Sequence, residues 1–275
     1  MIRELVVLRA AISALFLAAS PPAAGSHNLT ANTPTVVLGS GDYACTLTNP
    51  QYTAYSSDAT VVAHPHTTSL DMNATSNEWS NAYLTTGYNP EGYDSQRCDA
   101  YGYGKSLRLP VSAGRAGTIP ASISLYTNSN FVGNGGWDIW ATLSPSAHTA
   151  AEETSSGNNT EIMVWVTHPG LGDLLGDYYE GNPVMHNVRI DGRYWDVLHS
   201  GRTSWKPWQY VAFATPSANQ GNFTMNNVHL GVLLRWAADR GWIRKGATIQ
   251  AIDAGFEGNE STGGTKIKSY SLDVK

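Results

Sequence analysis

Charge is scarce in this 275-residue chain. Asp, Glu, Lys and Arg make up 14% of it, against roughly 25% in an average globular domain. Basic residues are the scarcer sign, 17 Lys and Arg against 22 Asp and Glu, for a net charge of −5. A nucleic-acid-binding surface needs the opposite balance, and that class is excluded. Cysteine occurs only as Cys45 and Cys98, with no histidine at ligand spacing, so no zinc centre is expected. No apolar run reaches the length of a membrane-spanning helix. Apolar residues are not scarce: 41% of the chain is hydrophobic, enough for a real core, which excludes disorder for the bulk of the chain. Gly (27), Tyr (14) and Trp (9) are plentiful. A neutral, aromatic-rich surface suits uncharged polyhydroxylated ligands, because an aromatic ring is a large, rigid, amphipathic contact.

The N-terminus reads as a targeting segment. Arg3 and Arg9 precede the apolar stretch Ala10–Ala19, and Pro21, Pro22, Ala23, Ala24 and Gly25 form a small-residue stretch fit for cleavage. Residues 1–25 are therefore expected to be a secretory signal peptide. Residues 26–41 are small, polar and mostly uncharged, the composition of a flexible lead-in. No composition break follows, so residues 42–275 are expected to be one domain, secreted, free of the membrane after cleavage, and monomeric. In an exported chain the default for Cys45 and Cys98 is one disulfide.

Between clusters of Gly, Asn, Pro and Ser the chain alternates with period two. The expected strands are Ser122–Tyr126, Trp137–Leu143, Glu161–Thr167, Val184–Ile190, Arg193–Leu198, Trp208–Ala214, Ile249–Phe256 and Ile267–Val274. One segment differs. Within Thr224–Trp242, Leu230, Leu233, Leu234, Ala237 and Ala238 recur at helical spacing, with Thr224 or Asn226 as candidate N-caps and Gly241 as a stop. The pattern predicts an all-β sandwich with a single packed α-helix.

In Glu161–Thr167, Ile162, Val164 and Val166 fall on one face, and Glu161, Met163, Trp165 and Thr167 on the other. The first face is core. A carboxylate beside a thioether and an indole is either a frayed strand end or the lining of an aromatic cleft. In Ile249–Glu257, Ile252, Ala254 and Phe256 make the core face, and Ala251, Asp253, Gly255 and Glu257 an open one. Trp137-Asp138-Ile139-Trp140 places a third acid, Asp138, between aromatics. Two carboxylates on one cleft face are what glycosidic-bond cleavage needs. A third acid nearby can share protons with them.

At these residues the sequence resembles glycoside hydrolase family 12, a family of endo-β-1,4-glucanases and xyloglucanases. Thr160–Trp165 (TEIMVW), Ala254–Glu257 (AGFE) and Trp137–Trp140 (WDIW) look like its signature strands. Val188–Trp195, Tyr210–Ala214 and the closing strand Lys268–Val274 follow in the family's order. The resemblance runs from about Leu107 to Val274. It implies a jelly-roll β-sandwich of two antiparallel sheets with a concave cleft and one helix. It implies Glu161 as nucleophile, Glu257 as general acid/base and Asp138 as the acid beside the nucleophile. It further implies Met163 as a cleft residue and Asn77 and Trp79 as a sugar-binding pair. Trp165 and Trp140, on the same strands as the acids, are also expected to bind substrate. Retention implies carboxyl groups about 5–5.5 Å apart. Neither metal nor organic cofactor is required. The expected partner is a β-glucan: cellulose, mixed-linkage glucan or xyloglucan. The loop 170–176 and the stretch Gly258-Asn259-Glu260 depart from the family's usual pattern. Of Trp195, Trp205 and Trp208, one or two are expected to face the ligand. The alternatives are an endo-β-1,4-xylanase of the sister jelly-roll family and a non-catalytic glycan-binding module.

Overall fold

A computed structural model describes residues 109, 111–143, 159–169, 185–201, 208–216, 220–259 and 265–274, together with the backbone pairing of short strands between 26 and 87. The strands, in chain order, are β1 (Ser26–His27), β2 (Val36–Leu38), β3 (Tyr43–Cys45), β4 (Thr53–Ser57), β5 (Ala59–His64), β6 (Ser69–Ala74), β7 (Ser80–Gly87), β8 (Val111–Ser112) and β9 (Pro120–Thr127). They continue with β10 (Val132–Thr142), β11 (Asn159–Thr167), β12 (Met185–Ile190), β13 (Arg193–Ser200), β14 (Gln209–Ala214), β15 (Gly221–His229), β16 (Thr248–Asn259) and β17 (Thr265–Leu272). The helix α1 spans Leu230–Asp239.

The strands form two sheets. The larger has the order β1-β3-β4-β7-β16-β10-β11-β14-β13-β12, with β8 also paired to β16. The smaller runs β15-β9-β17-β6-β5-β2. This is the jelly-roll sandwich expected from the sequence, but the larger sheet is not purely antiparallel, because β11 and β14 pair in parallel. All eight expected strands are present, with ends within a few residues of the expected ones. Residues 1–25 lie outside the described residues. Within the stretch 26–41, β1 pairs in parallel with β3, and β2 pairs with β5.

Period-two alternation sorts the larger sheet into two faces. Trp137, Ile139, Ala141, Ile162, Val164, Val166, Val211, Phe213, Ile252, Ala254 and Phe256 point to one side, into a core shared with Ile123, Leu125 and Ile267 of the smaller sheet. Two places that break the alternation are bulges. A register shift between Trp140 and Ala141 lets both Ile249 and Ile252 face inward. A second, between Ile267 and Ser269, does the same for Ile267 and Tyr270.

The helix is shorter than the sequence suggests. Thr224 and Met225 pair with Ser124 and Ile123 in β9, so the helix begins at Leu230 and neither Thr224 nor Asn226 caps it. His229 makes no side-chain cap. The first helical N–H groups are satisfied by backbone instead: Leu230 donates to Ile119 O at 3.1 Å and Gly231 to Thr118 O at 3.0 Å. The local sequence therefore carries no capping signal. Gly231 is the reason this approach is possible, because a Cβ there would sit 1.9 Å from Gly117 O. Leu230, Leu233, Leu234 and Ala237 bury the inner stripe. Gly241, at φ +74°, stops the helix as expected. Among the described residues, no helix is long and apolar enough to cross a membrane.

Candidate active site

Side chains on the outer face of the larger sheet are buried as well. Met163, Trp165, Leu198, Tyr210, Ala212 and Ala214 form their own apolar cluster there. The three central strands, in the order β16-β10-β11, each place an acid on this face: Glu257, Asp138 and Glu161. One carboxylate oxygen from each lies within 4.8 Å of the other two.

Register alone would not bring them together. Glu257 lies opposite Asn134 in β10, whereas Glu161 lies opposite Trp140, six residues along the same strand. The strands have to curl. β10 supplies the means, because its first half is Val132-Gly133-Asn134-Gly135-Gly136. A Cβ at Gly133 would meet Glu257 O at 2.1 Å, and one at Gly136 would meet Val164 O at 2.0 Å. A bulge falls between Gly135 and Gly136. The glycines admit β16 and β11 at distances any side chain would forbid, at the place where the site is built.

Each acid is held by a different N–H donor. Trp208 Nε1 donates to Glu161 Oε2 at 2.5 Å. Trp140 Nε1 donates to Asp138 Oδ2 at 3.2 Å. Asn134 Nδ2 donates to Glu257 Oε2 at 3.1 Å. The two indoles also touch, with centroids 5.7 Å apart. Glu161 is only 6% exposed and Asp138 fully buried, while Glu257 is partly open to solvent. Three carboxyl groups this close cannot all be ionised at low cost, so the cluster retains protons.

Trp140, Met163 and Trp165, also expected at the site, lie on this same face. Trp140 is 1% exposed, Met163 2% and Trp165 5%, which leaves little of either ring open to a sugar. Trp140 instead supports Asp138 and Trp208. Trp165 donates to Met163 Sδ at 3.3 Å and packs near His168. Of the three undifferentiated tryptophans, Trp195 packs in the core against Phe213, Trp208 reaches the acids, and Trp205 lies outside the described residues. Asn77, Trp79, Cys98 and the loop 170–176 also lie outside them, and with Cys98 the Cys45–Cys98 pairing. Asn134 was not among the expected site residues. The glycines on either side of it hide the strand alternation that would have marked its face.

Removing the Trp208 donor should show directly at Glu161. Trp208→Phe is expected to keep the ring contact with Trp140 and lower turnover by about tenfold or more, the scale of a hydrogen bond to a charged group. The acidic limb of the pH profile should move to higher pH, since the donor favours the ionised form of Glu161. A pure rise in KM with an unmoved profile would instead make Trp208 a stacking platform.

No protein-family model matches the sequence, and no curated protein matches it. Solved structures do. A metagenome-derived glycoside hydrolase family 12 endoglucanase superposes with a TM-score of 0.64 at 16% identity, over 88% of this chain and 99% of its own. A family 12 xyloglucanase from Bacillus licheniformis gives 0.62 at 17%, over 88% and 100%. The xyloglucanase domain of a type three effector from Sinorhizobium fredii, in complex with cellobiose, gives 0.54 at 15%, over 82% and 92%. The chain has the fold of the family 12 glycoside hydrolases.

Proposed function

We propose that the protein is a secreted, retaining endo-β-1,4-glucanase of glycoside hydrolase family 12. The observation that carries the reading is the convergence of Asp138, Glu161 and Glu257 within 4.8 Å on the outer face of a family 12 jelly roll. That spacing suits direct attack by a carboxylate. An inverting pair stands about 6.5–9.5 Å apart to admit a water.

The roles follow from the surroundings. Glu161 is buried and held by the Trp208 N–H, which favours the carboxylate and aims it, so it attacks the anomeric carbon. Glu257 is partly open, so it exchanges protons with solvent. It protonates the departing glycosidic oxygen, and a covalent glycosyl–Glu161 ester forms. Glu257, now a carboxylate, takes a proton from an entering water, and that water releases the sugar with its configuration retained. Asp138, on the strand between them, places a carboxylate within 4.8 Å of both. The chemistry needs only acid, base and nucleophile. The cellobiose bound by the Sinorhizobium fredii domain supports a glucan as the polymer. The N-terminal pattern Arg–apolar–small supports export.

The test is reducing-sugar release by the purified domain on barley β-glucan, xyloglucan, carboxymethyl-cellulose and xylan, with the anomer of the first product read by proton NMR. Release from the glucans as the β-anomer is expected. Release mainly from xylan would move the protein to the sister family. Binding without release would make it a glycan-binding module.

A further inference from the structure

A fourth acid belongs to this face. Asp253 of β16 lies directly opposite Asp138 of β10 in the antiparallel register. Both are 0% exposed, and both point away from the core that takes their neighbours Ile139, Ile252 and Ala254. Directly opposed residues on one face of an antiparallel pair have Cβ atoms about 4.5–5.5 Å apart. Two carboxylates buried at that separation cannot both ionise cheaply, because desolvation and mutual repulsion act in the same direction.

We infer that Asp253 and Asp138 share one proton, and that the pair positions charge beside Glu161 and Glu257. This rests on the glycosidase reading of the same site. The proton sits on Asp253, because Asp138 accepts the Trp140 N–H at Oδ2, which favours the ionised form there. Asp253 is therefore a positioning residue: it acts through Asp138, whose carboxylate lies within 4.8 Å of the other two acids. The titratable groups facing the pair are Glu161 from β11 and Glu257 further along β16. Tyr210 of β14 lies opposite Glu161, and β7 places Thr85 opposite Asp253.

The consequence is a pH dependence. As pH rises, the shared proton leaves and a second negative charge appears beside the cluster. A nearby negative charge keeps a proton on its neighbour, so Glu257 stays protonated, and active as an acid, to higher pH. In Asp253→Asn the amide replaces the hydroxyl donor to Asp138, but the second charge never forms. The alkaline limb of kcat/KM is expected to move to lower pH by roughly one unit, with the acidic limb little changed. An alkaline limb in the parent position would overturn the inference while leaving the glucanase reading intact. A parent protein inactive on every glucan would overturn that reading first.

A measurement independent of activity is the carboxyl NMR titration of protein labelled at aspartate. The Asp253 signal should titrate in two coupled steps that collapse to one in Asp138→Asn. A single step, the same with and without Asp138→Asn, would overturn the shared proton even if Asp253→Asn failed to fold.

Discussion

Glu161→Gln is expected to fold as the parent does and to lose turnover by on the order of 10⁴-fold or more, as loss of a covalent nucleophile does. The fold should survive because the substitution is isosteric, and the new amide oxygen can still accept the Trp208 N–H that holds Oε2 at 2.5 Å. It also removes a buried charge from a cluster of acids, so stability should hold or rise. The chemistry should not survive. An amide oxygen is a poor nucleophile, and no other carboxylate stands where Glu161 does, since Asp138 and Glu257 approach from β10 and β16 on its other side. Affinity for β-glucan, measured by calorimetry, should stay within a few-fold of the parent, because the reacting carboxylate gives little ground-state binding. A variant that retains near-parent turnover would remove Glu161 from the nucleophile's role.

The parts of this site legible in the sequence are those where alternation is unbroken. Glu161-x-Met163-x-Trp165 reads as one strand face with a carboxylate beside a thioether and an indole, and β11 places those residues together on the outer face. The same holds for Asp253 and Glu257 in β16. What was not legible depends on the third dimension. That Glu161 and Glu257 meet, although the register sets them six residues apart along β10, follows from a curl made possible by Gly133, Gly135 and Gly136. A glycine run in sequence reads first as a turn. The donor Asn134 was hidden inside that run. Trp208 was legible only as one of three candidate tryptophans, because it sits at the edge of a strand, where periodicity says nothing about reach. The helix start was misplaced because its cap is made by Thr118 and Ile119 carbonyls, about a hundred residues away in sequence. Asp253 was visible as an acid on an open face. Only the β10–β16 register showed it to be opposite Asp138.

Glu257→Ala separates the two chemical steps. On β-glucan, whose leaving group needs a proton, turnover is expected to fall about 10²–10⁴-fold, the usual weight of general acid catalysis. On an aryl β-cellobioside with an acidic phenol the leaving group needs no proton, so the first step should remain fast. The second step needs Glu257 as base and should become slow. The glycosyl–Glu161 ester would then accumulate, seen as a burst of phenol followed by a slow steady state. Azide needs no general base, and the space left by the deleted carboxylate admits it. It should restore the steady-state rate and yield the β-glycosyl azide, because it attacks the ester from the face opposite Glu161. The partial exposure of Glu257 makes that route open to an anion from solvent. An α-glycosyl azide would assign the deleted residue as the nucleophile and exchange the two roles. No burst and no rescue, with the fold intact, would remove Glu257 from catalysis.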